Sequence, residues 1–414
     1  MRFNKVKFKD FIKFNPKRSL TRGEVSKKIA MENIEPYTKN ISKYEIAEYN
    51  GGTKFKNEDT LVARITPSLE NGKTAFVNIL NDGEVAFGST EFIVLTNIEN
   101  VTTKEFIYYF STTEYFRKPA ISSMTGTSGR QRVQTDALYD LEYKLPDIKT
   151  QNFITNILSS LDDKIELNNK INNNLEELAQ TLYKHWFVDF EFPNEEGLPY
   201  KSSGGEMVDS ELGMIPKGWK IEFLGSSRLT KLMKSGILRF DGSKKYIATA
   251  DVSDTSITSF STKITFDERP SRANMQPKIN SVWFAKMKDS RKLIRVSENS
   301  SYLLSKCIFS TGFAGIETIN SLNYIWTYLI STDFDETKNN LCNGTTMQAI
   351  NNDNIKRIRI LSPNIHVLKM YEDLVQPLFD LVESNSIQND KLAKTRDELL
   401  PKLMSGEIEV PIEE

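Results

Sequence analysis

Apolar residues recur in alternating steps of four and three at Ile154, Leu158, Leu161 and Ile165, and again at Leu175, Ala179, Leu182 and Trp186. Asn168 and Asn172 fill the middle of the same stripe. A second stripe runs through Tyr371, Val375, Leu378, Val382, Asn385, Asn389, Leu392, Arg396, Leu399 and Leu403. A period near 3.5, held this long, predicts two long helices that pack along a seam as in a coiled coil. Polar residues at a seam position fix register at some cost in stability, so Asn168, Asn172, Asn385 and Asn389 are read as register residues. Each helix is the simplest partner of the other. The spacing fits a parallel or an antiparallel pair; the antiparallel one places a globule at each end of a rod. About 35 helical residues span ~50 Å, enough for a ruler between two heads.

Upstream of each stripe the pattern changes. Thr60-Leu-Val-Ala-Arg-Ile, Ser281-Val-Trp-Phe-Ala-Lys-Met, Phe92-Ile-Val-Leu and residues 139–145 read as strands. Phe106-Ile-Tyr-Tyr-Phe and Tyr324-Ile-Trp-Thr-Tyr-Leu fit helix or strand equally. Residues 187–220, with Pro193, Pro199, Gly204, Gly205 and Pro216, read as an irregular connector. The two halves are related. Asp136-Ala-Leu-Tyr-Asp-Leu-Glu-Tyr-Lys-Leu-Pro matches Asp353-Asn-Ile-Lys-Arg-Ile-Arg-Ile-Leu-Ser-Pro at an offset of 217. The offset then carries Leu161 onto Leu378, Ile165 onto Val382 and Leu175 onto Leu392. More loosely, Gly126-Thr127 aligns with Gly344-Thr345 and Gln131 with Gln348. Each repeat is a mixed α/β globule followed by a long helix.

Net charge is −1, which hides an alternation. Residues 1–150 carry 23 Lys and Arg against 19 Asp and Glu, and residues 215–363 carry 22 against 13. Residues 151–214 carry 4 against 12, and residues 364–414 carry 5 against 11. Two basic globules suit a polyanion, whereas the acidic helices must face something else. No run of about 18 apolar residues occurs, which argues against a membrane span. The start, MRFNKVKFKDFIKF, lacks the continuous apolar stretch of a signal peptide. Two cysteines, Cys307 and Cys342, fit a reducing cytoplasm and read as small buried hydrophobes.

The run 145–193, LPDIKTQNFITNILSSLDDKIELNNKINNNLEELAQTLYKHWFVDFEFP, resembles the central conserved region of Type I restriction-modification specificity subunits. Thr395-Arg-Asp-Glu-Leu-Leu-Pro-Lys-Leu-Met-Ser-Gly-Glu-Ile is similar to that family's distal conserved region, and Ile215-Pro-Lys-Gly-Trp to the entry of its second target-recognition domain. Thr150-Gln151 keeps only the glutamine of the family's Glu-Gln pair, which leaves the local helix start open. The resemblance implies an α+β chain: two mixed α/β target-recognition domains, separated by two long helices in an antiparallel coiled coil, with a pseudo-twofold repeat. On this reading the first domain is 1–147, the central helix 148–190 and the linker 191–214. The second domain is 215–363, the distal helix 364–406 and the acidic tail 407–414. Each domain is expected to read one half of a split DNA sequence. The helices are expected to set the spacer and to dock two modification subunits, adenine methyltransferases. Restriction or translocase subunits complete the expected complex. S-adenosylmethionine, ATP and Mg are expected in those partners and no cofactor in this chain.

Candidate DNA contacts follow from residue chemistry. Segment 122–132, SSMTGTSGRQR, is a small-residue loop in which glycines let backbone approach phosphate and Arg or Gln can pair with base edges. Thr127, Arg130, Gln131 and Arg132 are its candidates, with Thr345 and Gln348 in the second copy; a plain solvent-exposed turn has the same composition. Arg64 and Lys286 end equivalent strand-like runs, and Lys286, Lys288 and Arg291 form a basic cluster that a solvated face would also show. Arg117 and Lys118 follow an aromatic segment and read equally as surface charge. Trp186, Phe187, Phe190 and Phe192 read as packing at a helix junction rather than as base stackers.

The sequence has no Asn/Asp-Pro-Pro-aromatic motif and no Gly-x-x-x-x-Gly-Lys-Ser/Thr loop, so methyl transfer and ATP-driven motion are expected from other chains. His185 and His366 have no Cys/His company, which argues against zinc. The competing reading is a duplicated coiled-coil adaptor that joins proteins without touching DNA. It explains the helices and the repeat but not the two basic globules.

Overall fold

Thr60–Ala63 and Ser281–Ala285 are buried at every position, which is why they read as continuous apolar runs rather than alternating ones. Each is an inner strand of a sheet. The computed structural model describes residues 3–344 and 348–409. Helix and strand are mixed, and the chain divides into two units, Met1–Asn168 with Gln388–Glu414, and Asn169–Ile387.

In the first unit, an antiparallel four-stranded sheet has the order Ile12–Phe14, Phe92–Asn97, Thr60–Ala63, Thr74–Phe76. A second sheet has the order Glu45–Glu48, Val25–Ile29, Val85–Gly88, Thr53–Lys56, with its inner pair parallel. Helix Lys104–Thr112 starts where the Thr103 hydroxyl accepts from the Phe106 N–H at 3.2 Å. That cap marks the segment Phe106 to Phe110 as helix, the alternative that periodicity alone left open. The core gathers Phe8, Phe11, Phe110 and Phe116 with Ile154 and Leu158, and includes Leu403 and Met404 from the far end of the sequence. The Tyr143 hydroxyl donates to the Met404 carbonyl at 2.6 Å. Gly406, at φ +75°, lies so close to Phe3 that a Cβ would sit 2.7 Å from its ring.

The second unit repeats both sheet orders. One sheet runs Thr230–Leu232, Phe313–Thr318, Ser281–Ala285, Leu293–Val296. The other runs Lys263–Ile264, Lys244–Ile247, Cys307–Ser310, Ala273–Met275, again with the inner pair parallel. The aromatic segment 324–329 lies in helix Leu322–Leu329. Trp186, Phe187 and Phe192 are buried against Trp219, Tyr324 and Tyr371 in this unit's core.

The first long helix is Ile148–Tyr183, continued by one wide turn over Lys184–Val188. It starts cleanly without the glutamate of the family pair. Asp147 accepts from the Thr150 N–H at 2.8 Å, and buried Gln151 donates to the carbonyls of Val101 and Pro146. The second is Ile365–Ser405. Within the first unit, Asn168 donates to Gln388 and Asn389 at 2.8 Å each, and Asp162 pairs with Arg396 at 2.6 Å. Within the second, Asn385 donates to Asn172 at 2.8 Å and the Tyr371 hydroxyl to the Ala179 carbonyl at 3.2 Å. One number rises as the other falls, so in each unit the two helical segments run antiparallel.

Candidate nucleic-acid interface

In the first unit, loop 122–133 is stitched onto the end of strand Thr60–Ala63. Thr125 and Arg132 exchange backbone hydrogen bonds of 3.1 and 2.9 Å, Thr66 N–H donates to the Gln131 carbonyl at 3.0 Å, and Val133 N–H to the Arg64 carbonyl at 2.8 Å. Gly126 and Gly129 have φ values of +132° and +78°, which L side chains rarely adopt, so glycine lets this turn close. Residues 125–130 are exposed throughout. Thr127 and Arg130 therefore project from a fixed frame, and no ion pair holds Arg130 among the described residues.

Arg132 behaves differently. Its guanidinium donates to both Glu91 oxygens, at 2.6 to 3.0 Å, and holds the Glu91 carboxyl below its usual range. The Arg64 charge also favours the Glu91 carboxylate, and the buried Arg64 Nε has no hydrogen-bond partner among the described residues. The loop thus presents Arg130 free and Arg132 oriented by a carboxylate.

The second unit builds the same frame. Asn343 and Ala349 exchange backbone hydrogen bonds of 3.1 and 3.0 Å, Ile350 N–H donates to the Lys286 carbonyl at 2.9 Å, and Lys288 N–H to the Gln348 carbonyl at 2.9 Å. Thr345 lies outside the described residues. Gly312 occupies the place of Glu91: its carbonyl accepts from the Lys286 N–H as that of Glu91 does from Arg64. Lys286 has no carboxylate partner among the described residues, and burial lowers its ammonium below the usual lysine value. Lys288 is exposed.

Two candidates are committed elsewhere. Arg291 pairs with Asp254 at 2.8 Å and Asp335 at 2.7 Å and donates to the Ile330 carbonyl, which makes it an internal tie. Arg117 donates to the carbonyls of Leu69 and Glu70 and stacks on Tyr37. Lys118 is exposed and pairs with Glu114 one helical turn earlier. Sequence reasoning passed over a cationic group around Phe240 and Phe266: Arg239 and Arg269 lie over the Phe266 ring, with centroid distances of 5.2 and 4.1 Å, and Lys244 over Phe240 at 5.1 Å. Its signal was the alternation of cations with aromatics over 239–272. Among the described residues, no group of three or more His, Cys, Asp or Glu is arranged to hold a metal, and no helix is long and apolar enough to cross a membrane.

The sequence profile of the Type I restriction modification DNA specificity domain matches residues 2–177. The Type I restriction enzyme HindI specificity subunit of Haemophilus influenzae is 26% identical over 408 residues, covering 86% of this chain and 87% of the relative. The MjaIX specificity subunit of Methanocaldococcus jannaschii is 25% identical over 387 residues, covering 90% of this chain and 86% of the relative. Among solved structures, the S subunit of a Type-I restriction-modification system from M. genitalium aligns with a TM-score of 0.48 and 14% identity, over 97% of this chain and 96% of that one.

Proposed function

We propose a division of labour within this chain, which belongs to the family of Type I restriction-modification specificity subunits. The chain gives a Type I complex its DNA-sequence specificity. Each mixed α/β domain reads one half of a bipartite target, and the two long helices, as an antiparallel coiled coil with a pseudo-twofold repeat, set the spacer. Their acidic outer faces dock two modification subunits, since they would repel phosphate. Methyl transfer from S-adenosylmethionine, and any ATP- and Mg-dependent restriction, are the partners' work, and this chain contributes no catalytic group.

The observation that carries the reading is a loop frame built twice on the same strand order, with a cation at the same place in each copy, Arg64 in one and Lys286 in the other. Phosphate contacts supply affinity and register, and side chains at base edges supply sequence. Mapping methylated adenines genome-wide, in a host given this chain with its modification subunit, tests it. A bipartite motif is expected, and replacing residues 1–145 by those of another member should change one half only. Methylation without a bipartite motif, or a change in both halves, would refute the modular reading.

A further inference from the structure

Leu238 is the most exposed large apolar side chain among the described residues, at 81%. It is not on a loose strand end. Just before it, the Gly236 N–H donates to the Asn274 carbonyl at 2.8 Å, and Ile237 packs on the small core of Ile264, Ala273 and Ile308. Just after the tip, Phe240 packs on the same core. Leu238 and Arg239 are therefore a two-residue tip clamped on both sides. Holding a leucine in water gains the fold nothing, because burial is what makes such a side chain favourable.

The surroundings say what would cover it. Lys234, Arg239, Lys244, Arg269 and Arg272 lie in the segments that flank and support the tip. Only Arg239 has a carboxylate partner among the described residues, Asp267 at 3.4 Å on the exposed surface. The Arg272 carbonyl accepts from the Thr311 N–H, next to Gly312, whose carbonyl in turn accepts from the Lys286 N–H. This chain of hydrogen bonds places the tip's support beside the frame of loop 343–350. An apolar tip whose flanking and supporting segments carry five cations, against the carboxylates of Asp241, Asp267 and Glu268, suits a nucleic-acid groove, with phosphates at the rim and base surface within.

We propose that Leu238 is an apolar wedge that enters a groove of the DNA half-site read by the second domain, while Arg239 and Arg272 seat the neighbouring phosphates. This rests on the DNA-reading function proposed above. The first domain has no counterpart: at the repeat offset Leu238 corresponds to Thr21, an exposed polar residue followed by Arg22. Distortion of the duplex is thus confined to one half of the target.

The test uses the full chain assembled with its modification subunits and duplexes of the mapped target, carrying 2-aminopurine at successive positions of each half. Wild type should bind the bipartite target and, at positions other than the adenines that the modification subunits extrude, raise the fluorescence of a base in the second half only. Leu238→Ala and Leu238→Ser should abolish that rise and weaken specific binding about tenfold, or ~1.4 kcal/mol, with binding to unrelated duplex unchanged. Arg239→Ala and Arg272→Ala should flatten the salt dependence instead. Leu238 variants with wild-type affinity and fluorescence would overturn the wedge while leaving the DNA-reading function intact. Failure of wild type to bind the bipartite target would sink that function itself. Loss of complex assembly, with unchanged DNA affinity per assembled complex, would show the tip to be a protein contact and also refute the proposal.

Discussion

Removing Arg396 should destabilise the first unit far more than removing an ordinary helix arginine. Its side chain is 14% exposed and that of Asp162 6%, and the two lie 2.6 Å apart. Asp162 also accepts from the Tyr109 hydroxyl at 2.7 Å. Arg396→Ala would leave a buried carboxylate with one neutral donor, and stranding a buried charge in this way costs about 3–5 kcal/mol. The retained Tyr109 bond argues for the lower figure, about 3 kcal/mol. A urea slope of about 2 kcal/mol/M turns that into a midpoint ~1.5 M lower. The apolar alternative is already present in the chain: at the repeat offset Asp162 and Arg396 correspond to Phe379 and Ala179, which are 2% and 0% exposed. A triple variant, Tyr109→Phe with Asp162→Leu and Arg396→Met, should recover about 2 kcal/mol or more, since well-packed apolar replacements of buried pairs are often neutral. All four tryptophans, Trp186, Trp219, Trp283 and Trp326, lie in the second unit, so their fluorescence reports that unit. Hydrogen-exchange mass spectrometry of peptides spanning 104–112 and 154–168 reports the first. A first-unit midpoint within about 0.3 M of wild type, on a urea slope of that size, would refute this reasoning, as would a triple variant no better than Arg396→Ala.

Glu176 offers a pH test. Burial pushes its carboxyl up to about 7, the Asp254 carboxylate adding to this and Arg291 opposing it. Folding then takes up a proton, so stability of the second unit falls as pH rises from about 4.5 to 7. Glu176→Gln should remove that decline, gaining about 1–3 kcal/mol above pH 7 and nothing below pH 4, as read by tryptophan fluorescence in urea. Arg291→Ala should cost the second unit about 2–3 kcal/mol yet leave the salt slope of DNA binding unchanged, whereas Lys288→Ala should reduce that slope by about one charge at no cost in stability.

The stripes were legible because seam burial repeats every turn, and the asparagines stood out as polar residues in apolar positions. Direction was not legible, because a 3.5-residue period is the same read either way; the pairs Asn168–Asn389 and Asn172–Asn385 set it within each unit. Arg396 was visible as a charge inside the stripe, but its partner depends on that direction. The cations were harder. Arg291 and Lys288 look alike in sequence, and what separates them is Asp254 and Asp335, 37 and 44 residues away in sequence. Phe106 to Phe110 could not be assigned by periodicity because all five positions are buried, which erases the helical pattern.

The presence of Leu403 and Met404 in the first unit's core has a consequence for the order of synthesis. A nascent chain emerges from its amino end, yet this core is short of material made more than two hundred residues after its own strands. Until that late segment arrives, Tyr143, Ile154 and Leu158 lack their closing neighbours and one domain waits with an unsealed side. A frameshift inside the second domain would therefore also take away part of the first unit's core.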